Sequence, residues 1–321
     1  MTLLLTQIGA GIAKNADPAT DNVWPDKTET PKAILDVDMS TDVDDLSAIR
    51  IMENLNSCGA QRLMAVVTSV TDGSDAVAGL LSADGYYQIP VGISSVNNPD
   101  PGSPYWDYLK GESSANQQMD AVKLYRKILA ESDTRVSIVT TGFLTNIEAL
   151  IKSSPDEYSS LTGSQLIAYK VRAIHITGGS FPDGFDNNFG AYDRTAEAAD
   201  YCFSNWPKEV PIILYTNNLG AKIQTGLFLS NTDPLKECFA LAGKENGSTG
   251  WDAFNTWAFE CIDSGSETEN ELGIEACNIR IRQGTRENVF EQYDDKNVYR
   301  VTKLNQDQNY YQSRVSLYEL R

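Results

Sequence analysis

The chain has 321 residues, 41% hydrophobic and 22% charged, and is long enough to bury a large core. Its 44 acidic residues outnumber its 26 Lys and Arg, which gives a formal net charge of −18 and a pI of about 4.4. A phosphate backbone or an anionic membrane surface would repel this charge, so we expect neither nucleic acid nor a membrane as a partner.

Apolar strand segments alternate with helical segments from residue 32 to residue 216. Strands are predicted at 32–37, 62–70, 88–94, 135–142, 171–179 and 210–216, and helices at 46–55, 75–87, 119–132, 144–154 and 195–205. The alternation predicts an α/β fold, with a mostly parallel, Rossmann-like central sheet flanked by helices and a ligand site beyond the carboxyl ends of its strands. We expect residues 1–31 to be a leader and residues 32–321 a single domain that ends in a loop-rich extension.

The cysteine and histidine content of the chain excludes several kinds of metal site and catalytic mechanism. The five cysteines form no CxxC or Cys/His pattern, so we expect no zinc site and free, buried thiols, with one or two disulfide pairs in the C-terminal third as the alternative. The one histidine, His175, lies in an apolar strand and is predicted to be a core residue, which removes most Ser-His and Cys-His mechanisms. We predict a cytoplasmic protein; an extracytoplasmic location follows if residues 1–16 are the remnant of a signal sequence.

A cluster of aspartates follows the first predicted strand, in the segment Asp36-Val-Asp38-Met-Ser-Thr-Asp42-Val-Asp44-Asp45. Five carboxylates in ten residues repel one another unless a positive charge lies among them. Hard oxygen ligands favour Ca²⁺ or Mg²⁺ over zinc. The cluster therefore predicts a divalent metal site, and we expect Ca²⁺.

Two metal-dependent protein families have aspartate-rich motifs that can be compared with this cluster, the EF-hand proteins and the haloacid-dehalogenase-like phosphatases. An EF-hand loop needs Gly at its sixth position and Glu at its twelfth, where this chain has Thr41 and Ser47. A haloacid-dehalogenase-like phosphatase begins with a strand and DxDx[ST], which ILDVDMS fits, and SIVTT could be its second motif. That family does not need the adjacent pair Asp44-Asp45, and no later lysine and acidic motif is evident. The phosphatase is kept as an alternative.

Blocks in chain order resemble those of the inosine–uridine-preferring nucleoside hydrolases, a family of N-ribohydrolases. The first block matches the form DTDxGxDVDDAxAL found in one branch of that family, here called the DVDD branch. The blocks are D36-V-D38-M-S-T-D42-V-D44-D45, T140-T-G-F-L-T-N-I-E-A-L150, I-T177-G-G179, D186-N-N188, P211-I-I-L-Y-T-N-N-L-G-A-K-I-Q-T-G226 and G250-W251-D252.

The resemblance implies a nucleoside-hydrolase-type fold and calcium-dependent hydrolysis of the N-glycosidic bond of a ribonucleoside or related N-riboside. The metal ligands it implies are Asp38, Asp45, Asp252 and the backbone carbonyl of Thr141. Asp38 would also act as the general base toward the attacking water. The family also implies a homo-oligomer, either a dimer or a tetramer.

The same resemblance assigns further residues to the substrate and to the loop. The ribose-binding candidates are Asp44, Asp186, Asn188 and Thr177, with Asp186 one methylene shorter than the glutamate of the family. Asp36 and Asp42 would orient the metal loop.

The chain departs from the family at the proton donor for the leaving base. Family members place a histidine before the last aspartate, where this chain has Trp251. Trp251, together with Trp106 in the predicted loop 100–108, is a candidate for an aromatic platform that stacks a purine base. A non-catalytic calcium- or ribose-binding homologue is therefore a second alternative.

Overall fold

The computed structural model describes residues 30–40, 42–96, 98, 102–111, 116–264, 272–291 and 297–320. All of the possible signal remnant, residues 1–16, and all of the predicted leader except residues 30 and 31 lie outside this range.

The strands belong to one large sheet and two small ones. In the described residues, β1–β14 are Lys32–Val37, Arg62–Thr68, Val91–Ile93, Gln118–Asp120, Val136–Thr140, Val171–Thr177, Asp183–Gly184, Ile212–Tyr215, Gln224–Thr225, Ser248–Thr249, Leu272–Ala276, Asn278–Ile281, Asn288–Glu291 and Val298–Leu304. The large sheet has the order β11-β14-β8-β6-β5-β1-β2-β3-β4. Its neighbouring strands are parallel except for β11, which pairs antiparallel with β14 at one edge.

The helices lie on both faces of this sheet. In the described residues, α1–α12 are Asp44–Ser57, Ser74–Ala83, Pro104–Lys110, Ala121–Glu131, Thr145–Lys152, Gly163–Lys170, Asn187–Gly190, Asp193–Asn205, Asn217–Gly220, Pro234–Leu241, Trp251–Asp263 and Gln308–Glu319. One apolar layer contains side chains of α1, α2, α3, α10, α11 and α12, and the other contains side chains of α4, α5, α6 and α8.

Strand β1 shows how the sequence produces these two layers. Its side chains alternate, so that Leu35 and Val37 enter the layer of α1 while Ile34 enters the layer of α4. All six of its residues are buried, which is the pattern of a central parallel strand. The central position of β1, between β5 and β2, places the aspartates after it at the middle of the sheet edge.

The structure confirms the predicted mostly parallel α/β sheet and corrects several details. The second predicted helix ends at residue 83 instead of 87, and the predicted loop 100–108 contains the first five residues of α3. The expectation of a loop-rich C-terminal extension was wrong, because β14 joins the sheet beside β8 and α11 and α12 pack against α1.

None of the helices in the described part of the chain is long and apolar enough to cross a membrane.

Candidate functional site

The ends of three neighbouring strands define the site. Asp38 follows β1, Thr141 follows β5, and Thr177 ends β6. These strands are adjacent and parallel, so their carboxyl ends meet at one edge of the sheet. Asp252 comes to the same place from the first turn of α11, which packs against α1.

The structure brings together the three carboxylates that the resemblance implied as metal ligands. Oxygens of Asp38, Asp45 and Asp252 all lie within 4.8 Å of one another. Ligands that lie 2.3–2.6 Å from a Ca²⁺ ion are separated by up to about 5 Å, so this spacing fits one ion. All donors in this set are hard carboxylate oxygens, which suit Ca²⁺ or Mg²⁺.

The electrostatics of the triad also fit a cation. Burial raises the pKa of Asp252 well above its usual value, and the nearby charges of Asp44 and Asp45 raise it further. Burial raises the pKa of Asp45 as well, with the charge of Asp38 as the next cause. Carboxylates in such surroundings resist ionisation until a positive charge lies among them, and a divalent cation would supply that charge.

Thr141 connects the strand ends to the triad. Its hydroxyl donates a 2.9 Å hydrogen bond to Asp45 Oδ1, and its N–H donates a 2.8 Å bond to the carbonyl of Asp36. The Thr141 carbonyl, the fourth ligand in the prediction, accepts a 2.7 Å bond from Asn188 Nδ2. A carbonyl oxygen has two lone pairs, so this bond leaves one for a second partner.

Gly142 is required by the close approach of β5 to the metal loop. A Cβ atom at this position would lie 2.6 Å from Asp38 Cβ and 2.7 Å from Ser69 Oγ. Real Cβ contacts are not that short, so a larger residue would displace Asp38 from the triad.

Two side chains of α3 hydrogen-bond to the backbone of the loop between β1 and α1. Trp106 is buried in the core, and its Nε1 donates a 3.1 Å bond to the carbonyl of Met39. The Tyr105 hydroxyl contacts the carbonyls of Ser40 and Asp42 at 2.7 and 2.8 Å. The structure thus places Trp106 on a helix behind the loop, where it supports the backbone of that loop.

Asp36 and Asp42, the two other acids of the cluster, have local partners. Asp36 is fully buried, and its carboxylate accepts hydrogen bonds from the Tyr125 hydroxyl at 2.9 Å and from Asn146 Nδ2 at 3.2 Å. Burial raises the pKa of Asp36 to about 7, although these two bonds act in the opposite direction. Asp42 Oδ1 accepts a 2.8 Å bond from the N–H of Val43.

The ribose-binding candidates lie at the same sheet edge and already have contacts within the chain. Asp186 caps the N-terminus of α7 by accepting a 3.2 Å bond from the N–H of Phe189, and burial raises its pKa. Asn188 Nδ2 donates to the carbonyls of Thr141 and Thr177 at 2.7 and 3.0 Å. Asn188 therefore joins the ends of β5 and β6, and the assignment of these residues to ribose stays a prediction.

Trp251 begins α11 directly before Asp252 and is half-buried. Its Nε1 donates a 3.0 Å bond to the carbonyl of Asn217. It packs closely on Gly220, where a Cβ atom would lie 2.6 Å from Trp251 Cα. The indole is therefore held by Asn217 and Gly220, one position before the triad residue Asp252 in the chain.

The prediction that His175 is a core residue is confirmed. The ring is fully buried in β6, with Nδ1 2.9 Å from the Tyr215 hydroxyl and Nε2 3.7 Å from Asp263 Oδ1. It also makes an edge-to-face contact with Phe259, with the ring centroids 4.9 Å apart.

Several residues that support the site do not stand out in the sequence. Tyr125 lies on the buried face of α4, where a tyrosine looks like an ordinary core residue. Asn146 lies inside the block Thr140–Leu150, so its place in that motif was the available signal. Asn255 lies one turn after Asp252 and donates to the Thr177 hydroxyl and to the carbonyl of Thr140.

No family model and no curated protein matches the chain. Solved structures do match. An inosine-guanosine nucleoside hydrolase aligns with a TM-score of 0.66 at 15% identity, over 89% of this chain and 97% of that one. The inosine-uridine preferring nucleoside hydrolase from Bacillus anthracis aligns with a TM-score of 0.64 at 15% identity, over 90% of this chain and 99% of that one. The type III effector protein XopQ, complexed with adenosine diphosphate ribose, aligns with a TM-score of 0.62 at 14% identity, over 92% and 93%.

The chain has the nucleoside hydrolase fold. The predicted fold type is thereby confirmed over most of the chain, and the phosphatase alternative is not favoured by these structures. At 14–15% identity the likeness concerns the fold, so the activity is argued below from the residues of the site.

Proposed function

We propose that the protein is an N-glycosidase, a calcium-dependent nucleoside hydrolase of the DVDD branch that releases the free base and ribose from a ribonucleoside or related N-riboside. The observation that carries this proposal is the convergence of Asp38, Asp45 and Asp252 within 4.8 Å at the carboxyl edge of the sheet. The two hydrolases with the same fold are named for inosine, uridine and guanosine, and the effector structure holds adenosine diphosphate ribose. All of these ligands contain a ribose.

Asp38, Asp45, Asp252 and the carbonyl of Thr141 would hold the ion. A bound divalent cation lowers the pKa of water and binds vicinal hydroxyls, which suits a ribose substrate. Thr141 fixes Asp45 through its hydroxyl, and Asn188 fixes the Thr141 carbonyl. These contacts hold the donor atoms in place before a substrate arrives, so little ordering is needed on binding.

Asp38 is the general base in this proposal. It is half-buried, whereas Asp45 and Asp252 are buried, so it is the member of the triad most open to a water molecule. A carboxylate in this position accepts the proton of the attacking water as the new C–O bond forms at C1′. Gly142 allows Asp38 to lie close to β5.

The acidic surroundings stabilise the charge that develops on the sugar. Cleavage of an N-glycosidic bond passes through a state with oxocarbenium character, as glycoside hydrolysis does. Asp44, Asp45 and Asp252 are buried beside one another, and carboxylates fixed in a desolvated site stabilise a positive charge more strongly than water does. Asp44, Asp186 and Asn188 would orient the ribose hydroxyls.

The leaving base departs without help from an imidazole. The chain's one histidine, His175, is enclosed by Tyr215, Phe259 and Asp263 within the core. Trp251 occupies the family's histidine position, and its indole offers a flat apolar surface for a base. We therefore propose that stacking on Trp251 orients the base, and that protonation of the leaving base comes from solvent.

The test measures free base and reducing sugar released from a panel of purine and pyrimidine ribonucleosides by the full chain, with Ca²⁺ and with a chelator. We expect release that the chelator stops and Ca²⁺ restores. The variant Asp38→Asn should lower kcat by at least 100-fold, because it removes the base and one ligand charge. The control Glu157→Gln removes an exposed carboxylate, 60% accessible in its ion pair with Lys123, and should not change kcat.

Ca²⁺ binding without release of base from any nucleoside would reject the catalytic proposal in favour of the binding homologue. Release that is unaffected by the chelator would reject the role of the metal.

We also propose a cytoplasmic protein that forms a dimer or tetramer. All five cysteines are free thiols, which is the state expected in a reducing compartment. The oligomer rests on the resemblance alone, and light scattering on the purified protein tests it.

A further inference from the structure

Glu319, near the end of α12, is a fully buried carboxylate far from the triad in sequence. Its Oε1 accepts hydrogen bonds from the Ser47 hydroxyl at 2.5 Å, from the Thr225 hydroxyl, and from the N–H of Gly226 at 2.9 Å. Its Oε2 accepts from the same N–H at 3.0 Å. Each oxygen of the carboxylate thus has at least one donor, and these donors come from two different parts of the fold.

The first element is α1, which carries a metal ligand. Ser47 lies two positions after Asp45 on the first turns of this helix. Asn54 of the same helix donates a 2.6 Å bond from Nδ2 to the carbonyl of Tyr318, next to Glu319. The C-terminal helix therefore contacts α1 at two positions, Ser47 and Asn54, and the first of these is two residues from Asp45 in the chain.

The second element leads to the other buried ligand. Thr225 of β9 pairs with Ser248 of β10, and the N–H of Gly250 donates a 2.9 Å bond to the carbonyl of Ile223. Two residues after Gly250 comes Asp252. Backbone hydrogen bonds therefore connect β9 to the segment that leads into α11.

Two glutamines of α12 form hydrogen bonds with the backbone of β9 and of the residues just before it. Gln312 Oε1 accepts from the N–H of Gln224 at 2.7 Å, and Gln312 Nε2 donates to the carbonyl of Gln224 at 2.7 Å. Gln308 Nε2 donates to the carbonyl of Lys222 at 2.7 Å. At Gly226, φ is +77° and a Cβ atom would lie 2.2 Å from Phe239. Any other residue type would be strained here and would clash with Phe239, so glycine is needed to present this N–H to Glu319.

We propose that Glu319 is a positioning residue for the metal triad, which holds α1 and the β9–β10 hairpin together and so sets the separation of Asp45 and Asp252. This inference rests on the proposed function in that it takes the triad to be a metal site. Affinity for a hard cation depends on how rigidly the ligands are held, and residues behind the ligands typically change it by roughly 10-fold to 100-fold.

The experiment measures the Kd for Ca²⁺ by calorimetry on chelator-treated full-length protein, together with nucleoside hydrolysis at limiting and saturating Ca²⁺. We expect Glu319→Ala to raise the Kd about 10-fold. Hydrolysis should fall at limiting Ca²⁺ and recover at saturating Ca²⁺, because the catalytic groups themselves are unchanged. Glu319→Gln should give an intermediate Kd, since its amide oxygen still accepts from the Ser47 and Thr225 hydroxyls.

The matched control is Val315→Ala, a buried apolar residue one turn earlier on α12. It should lower the melting temperature as a core truncation does, with the Kd within about 2-fold of the wild-type value. If Glu319→Ala does not fold, Thr225→Val removes a single hydroxyl partner of Glu319 and should raise the Kd in the same direction.

An equal Kd in the Glu319 variants and in Val315→Ala would show a merely structural role and overturn the proposal. A Kd that responds to Glu319 in a protein that hydrolyses no nucleoside would support the positioning role and reject the proposed function. A wild-type chain that binds no Ca²⁺ would overturn the positioning role of Glu319 as well.

Discussion

The backbone N–H of Asp252 donates a 3.1 Å hydrogen bond to Oδ2 of Asp44, across 208 positions of the chain. Asp44 begins α1, and Asp252 lies in the first turn of α11. Two helix N-termini therefore meet at the carboxylate cluster, and the positive end of each helix dipole lowers the free energy of negative charge there. This arrangement partly offsets the repulsion among the aspartates, and a cation would offset the rest.

The variant Asp252→Asn should distinguish two effects on stability, the repulsion among the buried aspartates and the stabilisation by a bound metal ion. Without metal, we expect the free energy of unfolding at pH 7 to increase by about 1 kcal/mol or more, because Asp252 ionises freely in the unfolded chain but resists ionisation when buried beside Asp44 and Asp45, a cost that Asn does not have. Wild-type protein should gain about 2.7 kcal/mol at a Ca²⁺ concentration 100 times its Kd. The variant should gain far less. Urea titrations with Ca²⁺ and with chelator measure both quantities.

The surface variant Glu157→Gln should respond to Ca²⁺ as the wild type does. An Asp252→Asn protein that Ca²⁺ stabilises as much as the wild type would remove Asp252 from the ligand set.

The convergence of Asp38, Asp45 and Asp252 at the candidate site could be predicted because these residues lie in short local blocks. Asp38 and Asp45 stand at the end of a buried strand and the start of a helix, and that strand–loop–helix pattern is visible in the sequence. Thr141 and Asp252 lie in later blocks, and the resemblance, not the local pattern, pointed to them. Their meeting in space follows from the parallel sheet, since adjacent strands end at one edge.

The C-terminal elements could not be predicted for physical reasons. Helix α11 is buried on nearly all sides, so its sequence WDAFNTWAFECID lacks the polar stripe that reveals an amphipathic helix. The contact between Ser47 and Glu319 joins residues 272 positions apart, and no local spacing encodes it. Trp106 looked like a loop residue because of the prolines and glycine around it, while the structure shows that Pro104 begins a helix.

The buried carboxylate of Glu53 should make the stability of the protein depend on pH. It is fully buried on α1, and neither of its carboxylate oxygens accepts a hydrogen bond from any described residue. It faces Arg50, which is bound to Asp84 and Asp233, and the Tyr86 hydroxyl donates to the Glu53 carbonyl. Burial, followed by the charge of Asp84, raises the pKa of Glu53 well above 4.5.

A group with a raised pKa in the folded state binds its proton more tightly when folded, so its contribution to stability is lost as the pH rises above 4.5. Glu53→Gln should therefore flatten the decline in unfolding free energy between pH 5 and pH 8. At pH 8 it should stabilise the protein by about 1–3 kcal/mol. Urea titrations across this range, with exposed Glu131→Gln as the control, measure the difference. Parallel pH curves for wild type and Glu53→Gln would contradict it.

His175→Gln should affect stability and leave catalysis intact. The imidazole lies between the Tyr215 hydroxyl and Phe259 inside the core, so its loss should lower the free energy of unfolding by about 1–3 kcal/mol. We expect kcat/KM at saturating Ca²⁺ within about 3-fold of the wild-type value, below the range that loss of an acid catalyst produces. A folded variant whose kcat falls 100-fold or more would show that His175 takes part in the reaction.

Trp251→His should supply an imidazole at the position where the resemblance implies a proton donor. An imidazole at the start of α11 would stand beside Asp252, and general acid catalysis is worth roughly 10²–10⁴-fold. We expect kcat for a nucleoside with a poor leaving base to rise at least 10-fold, and the rate to fall as the pH rises through about 6.5, where imidazole loses its proton. The variant loses the 3.0 Å bond to the Asn217 carbonyl, so it should also melt at a lower temperature. Trp251→Phe is the matched control, because it loses the same bond and keeps an aromatic ring that cannot donate a proton. Equal rates and equal pH profiles for the two variants would show that this position does not reach the leaving base.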